Sequence, residues 1–186
     1  MRIITGIAKG KTLTTLPGES TRPTAEKVKE AIFSSLQFEL EGRRVLDLFA
    51  GSGQLGLEAL SRGAEHVMFV DASREAIDVV KENARRTGFF DACRYLVSDY
   101  RNYIRKAADR DRYHIVFIDP PYALHAASDA IARILDAHLA HDGCIFVVES
   151  EEEDILASNP ELCERVTVRK ATRYGRTYIH ILDLNP

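Results

Sequence analysis

From residue 44 onward this chain alternates short apolar runs with amphipathic stretches, and that rhythm permits few folds. Residues 44–49, 66–70, 94–97, 113–118 and 144–148 read as strands. Residues 55–62, 74–86, a stretch from Asp99 to about Ala108, and 126–139 read as the helices between them. Strands joined by helical crossovers run parallel, and a parallel sheet is covered on both faces. The spacing therefore predicts an α/β fold, a doubly wound Rossmann-like sheet. The tail differs. Residues 165–173 and 177–184 alternate apolar and polar side chains around Tyr174-Gly175-Arg176, which predicts an antiparallel hairpin closing one sheet edge.

Residues 1–42 stand apart from this pattern as an extension to a main domain of residues 43–186. Residues 2–5 and 11–13 flank a turn bounded by Gly6 and Gly10, the pattern of a small hairpin. An amphipathic helix is expected from about Ala25 to Leu36, with Val28, Ile32, Phe33 and Leu36 on one face and Thr24 as its N-cap. At 186 residues the whole suits one domain with a short appendage. No run approaches the roughly 18 apolar residues of a membrane span, and the first residues lack a signal-type apolar segment. The three cysteines, Cys93, Cys144 and Cys163, form no CxxC pair and read as reduced thiols of a cytoplasmic protein. His138 and His141 have the spacing of metal ligands but no third partner nearby; they read as a solvated helix end, and no metal site is expected.

The chemistry lies where the strands end. In an open α/β sheet, ligands bind outside the carboxyl ends of the strands. Asp47, Asp71, Asp99 and Asp119 all fall at those ends. After the first strand comes Gly51-Ser52-Gly53-Gln54-Leu55-Gly56, a GxGxxG loop. Gly51 and Gly53 let the backbone turn tightly beside a ligand, and Gly56 lets helix and strand pack closely. Asp71 lies 20 residues past Gly51, placed to accept hydrogen bonds from two ribose hydroxyls. After the fourth strand comes Asp119-Pro120-Pro121-Tyr122. Its two prolines stiffen the backbone, and its carboxylate, carbonyl and ring suit a flat molecule bearing an exocyclic amine. A nicotinamide enzyme has no need of such an element, and Asp47 beside the glycines would repel a pyrophosphate while attracting a cationic amino acid tail. Both features point to S-adenosylmethionine.

These segments resemble a known family. Asp47-Leu48-Phe49-Ala50-Gly51-Ser52-Gly53, Asp71, Asp99 and Asp119-Pro120-Pro121-Tyr122 look like the class I methyltransferase set for amino groups of nucleobases. More narrowly, Arg2-Ile3-Ile4 with Lys9-Gly10-Lys11, the Arg22-Pro23-Thr24 block running to Val28-Lys29-Glu30, the run from Gly56 to Gly63 and Val148-Glu149 resemble the RsmD family. Its members methylate guanine N2 in small-subunit (16S) ribosomal RNA. The resemblance implies that Asp119, Pro120 and Tyr122 grip the amine. It implies that Asp47, Phe49, Gly51, Gly53, Asp71 and Asp99 hold S-adenosylmethionine, with Asp99 on the adenine amine and Arg22 and Thr24 closing over the methionine end. Asp71 stands where members often carry Glu, and Lys27 and Lys29 where they often carry Arg.

A net charge of −3 argues against a general nucleic-acid coat but leaves room for a basic face. Arg2, Lys9, Lys11, Lys27 and Lys29 in the extension are the expected RNA contacts, with further basic residues at Arg165, Arg169, Lys170, Arg173 and Arg176. The expected partner is ribosomal RNA, within the small subunit or an assembly intermediate. Three other readings compete: an amino-methyltransferase acting on adenine N6 or glutamine N5, a Rossmann oxidoreductase, and a catalytically silent RNA-binding module.

Overall fold

The computed structural model of the protein describes residues 1–18, 23–121 and 126–186, leaving aside the side chains of Pro23 and Thr24. The strands are β1 (Arg44–Asp47), β2 (His66–Asp71), β3 (Cys93–Val97), β4 (Tyr113–Ile118), β5 (Ala140–Ser150), β6 (Val166–Tyr174) and β7 (Thr177–Leu184). The helices are α1 (Pro23–Ser35), α2 (Gln54–Ser61), α3 (Arg74–Thr87), α4 (Tyr100–Ala107) and α5 (Ala127–Asp136). Among the described residues they build one seven-stranded sheet in the order β3-β2-β1-β4-β5-β7-β6. The first five strands are parallel, and β7 runs antiparallel between β5 and β6. The chain reverses direction across the sheet between β1 and β4, which creates the crevice where such folds bind ligands.

Two apolar layers fill the faces. One joins Phe33 of α1, Leu57 of α2 and Val80 of α3 to Phe117, Val147 and Ile181 of the sheet. The other joins Tyr103 of α4 and Ile131 of α5 to Leu46, Val116, Ile118 and Val148. Phe33 is fully buried, with its ring 5.8 Å from that of Phe117. Burying a side chain of this size contributes about 1.5–3 kcal/mol. Ile3, Ala8 and Leu13 belong to the same layer as α1, so the change of sequence pattern at residue 42 is not a gap in packing.

Several boundaries differ from expectation. Strand β1 stops at Asp47: the Leu48 N–H makes one last bond to the Phe117 carbonyl, and the chain turns at Phe49 toward the glycine loop. Helix α5 stops at Asp136, and β5 begins as early as Ala140, which pairs with Tyr113 ahead of a register shift. Helix α1 begins at Pro23, so Thr24 lies inside its first turn and is not the cap before it. Proline tolerates that first position because its missing N–H would be unsatisfied there anyway. The N-terminal hairpin forms around the bridge Arg2↔Thr12, with the Ile3 N–H on the Lys11 carbonyl, the Gly10 N–H on the Ile3 carbonyl and the Leu13 N–H on the Met1 carbonyl.

A buried carboxylate docks this hairpin on the main domain. Glu58, on α2, has no solvent exposure. It accepts the Ile4 N–H (2.8 Å), the Thr5 N–H (3.0 Å) and the Arg62 Nε–H (2.8 Å). Lys29 Nζ lies 3.5 Å from it and donates to the Arg2 carbonyl. Ser61 donates to the Thr5 carbonyl and accepts from the Ala8 N–H. Lys29 is therefore not an RNA contact. It is 2% exposed, and its burial lowers its pKa while Glu58 pulls the other way.

The two histidines singled out in sequence also part ways. His138 pairs with Asp109 at the surface. His141 sits in β5, not on a solvated helix end, and stacks on His114 with ring centroids 4.0 Å apart. His114 Nδ1 accepts the Arg44 N–H, so its proton is on Nε2.

Removing the Glu58 carboxylate leaves Lys29 buried without its partner and two backbone amides without their acceptor. Glu58→Ala should cost about 3–5 kcal/mol in urea unfolding, and Glu58→Gln less; a loss below 1 kcal/mol would show that the arm docks by apolar contact alone. Burial holds the pKa of His114 below its ordinary value, helped by His141, Arg43 and Arg44, and burial with Arg94 and Arg44 does the same to His66. Both stay neutral in the folded chain at pH values where the unfolded chain has begun to protonate them. Stability should therefore be level above pH ~7 and fall as pH drops below the usual histidine pKa of about 6.5. Thermal unfolding of His114→Asn across that window should show a shallower fall.

Candidate active site at the carboxyl ends of the strands

The expected acids converge at one end of the sheet. Asp47 and Phe117 are register partners on β1 and β4, and Asp119 follows two residues later. Asp71 ends β2 beside Val97, the last residue of β3, and Asp99 follows as the N-cap of α4. Asp47 is buried, Asp71 and Asp119 are half-buried, and Asp99 is exposed.

The glycine loop is held by these same carboxylates. Its turn closes through the Gly53 N–H to the Ala50 carbonyl (2.7 Å), with Gly51 and Gly53 at φ 51° and 80°, left-handed values that glycine adopts without strain. Asp71 Oδ2 accepts the Gly51 N–H (2.9 Å), and its Oδ1 accepts the Ser73 N–H (2.8 Å) ahead of α3. Asp47 Oδ2 accepts the Gly56 N–H (3.0 Å) from beneath the loop. A phosphate-binding loop keeps such amides for its ligand. Here negative charge already occupies two of them, so the loop suits a ligand with hydroxyls, amines or positive charge. The carboxylates at this end would repel a diphosphate.

Phe49 is half-buried with its ring 5.2 Å from that of Tyr100. Tyr100 donates its hydroxyl proton to Asp129 (2.6 Å), and burial with that bond pushes its pKa up to about 12. Asp99 Oδ1 caps α4 through the Arg101 and Asn102 N–H groups. On the β4 side, Pro120, Pro121 and Glu149 line a cleft with Ala126 and Ala127. Arg22 and Tyr122 lie outside the described residues, as does the Thr24 side chain. A larger cavity of about 500 Å³ lies elsewhere, between residues 153–163 and the face of β6 and β7 that carries Val168 and Ala171. None of the four acids lines it, so size does not locate the chemistry.

Two of the expected basic residues, Arg173 and Arg176, lie exposed at this end, at the β6–β7 turn beside the last residues of β5, whereas others are turned elsewhere. Lys11 donates to the Arg86 and Thr87 carbonyls at the far end of α3, and the Ile7 N–H to the Ser61 carbonyl at the far end of α2. Arg2 pairs with Glu26. Arg165 pairs with Asp136, and Arg169 with Glu39 and Asp183. Lys9 and Lys27 are exposed. Sequence reasoning also missed Asn83. Fully buried, it donates to the Thr14 and Ser52 carbonyls (both 2.9 Å) and accepts the Thr14 N–H (2.8 Å), tying the extension to the glycine loop. Its signal was an amide within the apolar stripe of Ile77, Val80, Ala84 and Thr87. Among the described residues no group of three His, Cys, Asp or Glu side chains could hold a metal ion.

Comparison with known proteins gives this arrangement a context. The family described as Conserved hypothetical protein 95 matches residues 1–183. The YlbH protein of Bacillus subtilis is 38% identical over 184 residues, 97% of each chain. Ribosomal RNA small subunit methyltransferase D of Escherichia coli is 32% identical over 160 residues, which is 86% of this chain and 79% of that one. The solved structure of the yhhF protein of Escherichia coli superposes with a TM-score of 0.85 at 29% identity, across 100% of this chain and 98% of that one.

Gly56 makes the loop geometry testable. A Cβ there would stand 2.3 Å from Phe69 Cε1 and 2.9 Å from Val67 Cγ1, so α2 would have to lift from the sheet. Gly56→Ala should cost about 1–3 kcal/mol by chemical denaturation, the ordinary penalty of overpacking. Unchanged stability would mean that the helix and strand are not in close contact.

Proposed function

This chain belongs to the RsmD family of rRNA methyltransferases, and on that footing we propose that it methylates the exocyclic N2 amine of a guanine in 16S ribosomal RNA, a guanine-966 type site. Relatives named ribosomal RNA small subunit methyltransferase D support the substrate class. The observation that carries the cofactor is the occupation of the Gly51 and Gly56 amides by Asp71 and Asp47, which leaves a carboxylate-rich cleft in place of a diphosphate cradle. That donor set fits S-adenosylmethionine, which supplies a methyl group activated by a sulfonium centre, and disfavours the dinucleotide of an oxidoreductase.

Each residue has a task in this reading. Asp71 has a second lone pair on each oxygen after accepting the Gly51 and Ser73 amides, and these take the ribose hydroxyls. Asp99 accepts from the adenine amine, and Phe49 packs beside that ring. Asp47 sets negative potential beneath Gly51 and Gly53, favouring the cationic end of the cofactor. Arg22 and Thr24 would close over that end. At the other side of the cleft Asp119 and the Pro120 carbonyl accept the N–H groups of the target amine. Those bonds localise a lone pair otherwise delocalised into the base and stabilise the charge that develops on nitrogen. In-line attack forms the N–CH3 bond as the S–CH3 bond breaks, and alignment of the two partners supplies much of the acceleration. The alkylated nitrogen is acidic and gives up its proton without a strong base. Tyr122 would stack on the base, worth ~1–3 kcal/mol.

Arg2, Lys9, Lys11 and Lys27 remain the proposed phosphate contacts of the extension, and they would make binding fall steeply with salt. The proposed partner is rRNA in the small subunit or in an assembly intermediate, with the base unstacked into the cleft.

The test is transfer of labelled methyl from S-adenosylmethionine to free 16S rRNA and to small subunits, followed by digestion to nucleosides. N2-methylguanosine is the expected product; methylated adenine or protein would overturn the guanine reading. Asp119→Ala should lower kcat by at least roughly 10²-fold with cofactor affinity near that of the wild type. Asp71→Ala should weaken cofactor binding instead, and equal losses in both variants would remove the division of labour.

A further inference from the structure

Strand β5 runs two residues past the end of β4, and the last residues of β4 are placed against it by register. Phe117 pairs with Val147 and Ile118 with Val148, so Asp119 stands next to Glu149 at the carboxyl end. Neighbouring strands lie about 4.8 Å apart. Side chains alternate faces along both strands. Ile115, Phe117, Ile145 and Val147 pack on the α1–α3 side, whereas Val116, Ile118, Phe146 and Val148 pack on the α4–α5 side. Continuing the alternation by one residue puts Asp119 and Glu149 on the same face, the face of α2 and the glycine loop. Glu149 is half-buried, and at the strand ends it also borders the small cleft that Pro120 and Pro121 form with Ala126 and Ala127 on the α5 side.

Two adjacent carboxylates on one face match one nucleobase edge. Guanine presents N1–H beside its N2 amine, a row of donors along the Watson–Crick edge. Adenine presents an amine beside N1, an acceptor whose lone pair a carboxylate would repel. We propose that Glu149 is a specificity residue that accepts the N1–H of the target guanine while Asp119 and the Pro120 carbonyl hold the N2 amine. Asp119 and the prolines recognise an amine without saying which; Glu149 tells guanine from adenine. This role rests on the methyltransferase reading above. It differs from the role of Asp119 in that Glu149 touches the substrate but not the nitrogen that reacts.

The probe is 2-aminopurine, which keeps the exocyclic 2-amine and replaces N1–H with a bare acceptor. An rRNA fragment carrying guanine, 2-aminopurine or adenine at the modified position is assayed with the wild type, Glu149→Gln and Glu149→Ala. The wild type should prefer guanine over 2-aminopurine by roughly ten- to a hundredfold in kcat/KM, the selectivity of one well-placed base contact. Glu149→Gln, whose amide can accept or donate, should bring that ratio close to one and permit measurable transfer to 2-aminopurine, with cofactor affinity unchanged. Glu149→Ala should lose guanine activity without losing activity on 2-aminopurine. If the variants lower both substrates equally and leave the ratio intact, Glu149 is only structural and the inference fails. If the wild type forms no N2-methylguanosine in any rRNA, the functional reading fails first, whatever the Glu149 variants do.

Discussion

The carboxylate of Glu58 has no contact with water, yet it organises much of what surrounds it. Two backbone amides of the extension, the Arg62 guanidinium and the Lys29 ammonium converge on it. A buried carboxylate with so many donors is tolerable only when all of them arrive together. The extension, α1 and α2 are thereby fixed against one another, and α2 begins at the glycine loop. Asn83 adds a second tie, from Thr14 to Ser52 within that loop. The extension is thus braced against the loop by polar contacts that an apolar interface of the same area would leave free to slide.

This explains the run from Gly56 to Gly63 in physical terms. Gly56 admits the ring of Phe69, Glu58 anchors the extension, and Ser61 holds the Thr5 carbonyl and the Ala8 amide. Gly6 answers from the other side. A Cβ at that position would lie 1.7 Å from the Ser61 carbonyl oxygen, so only glycine lets the two backbones meet.

The parallel strands were legible because buried strands must be apolar and crossovers must be amphipathic; β4 falls on the residues its apolar run marks. The acids at the strand ends were legible for the same reason, since each terminates an apolar run. What escaped were polar groups with distant partners. Lys29 lies four residues before Phe33 and seven before Leu36, on the apolar stripe of α1, but its burial depends on Glu58, 29 residues away. The hairpin forms through Ile3 and Lys11, but that Ile4 and Thr5 turn their amides to Glu58 was not legible in it. His141 is neighboured in sequence by a turn, and only the pairing of β4 with β5 brings it onto His114. Local pattern reports which face a residue occupies; it cannot report which distant group meets it there.

A conserved architecture can serve opposite electrostatic ends. The crevice between β1 and β4, the left-handed glycines and the acid after β2 are common to sheets that bind diphosphates, where loop amides point at the ligand. In this chain the loop amides of Gly51 and Gly56 are turned toward Asp71 and Asp47, and the chain places Asp99, Asp119 and Glu149 at the same end of the sheet. Low-dielectric walls strengthen the resulting negative potential. A ligand there is favoured if it carries positive charge or donor-rich edges, and a sulfonium, an α-ammonium, an adenine amine and a guanine Watson–Crick edge all meet that condition. The negatively charged backbone of an RNA does not. It must therefore approach over surfaces outside this cleft, with only the unstacked base entering, and the exposed Arg173 and Arg176 at the β6–β7 turn, beside the end of β5, offer such a surface at the rim.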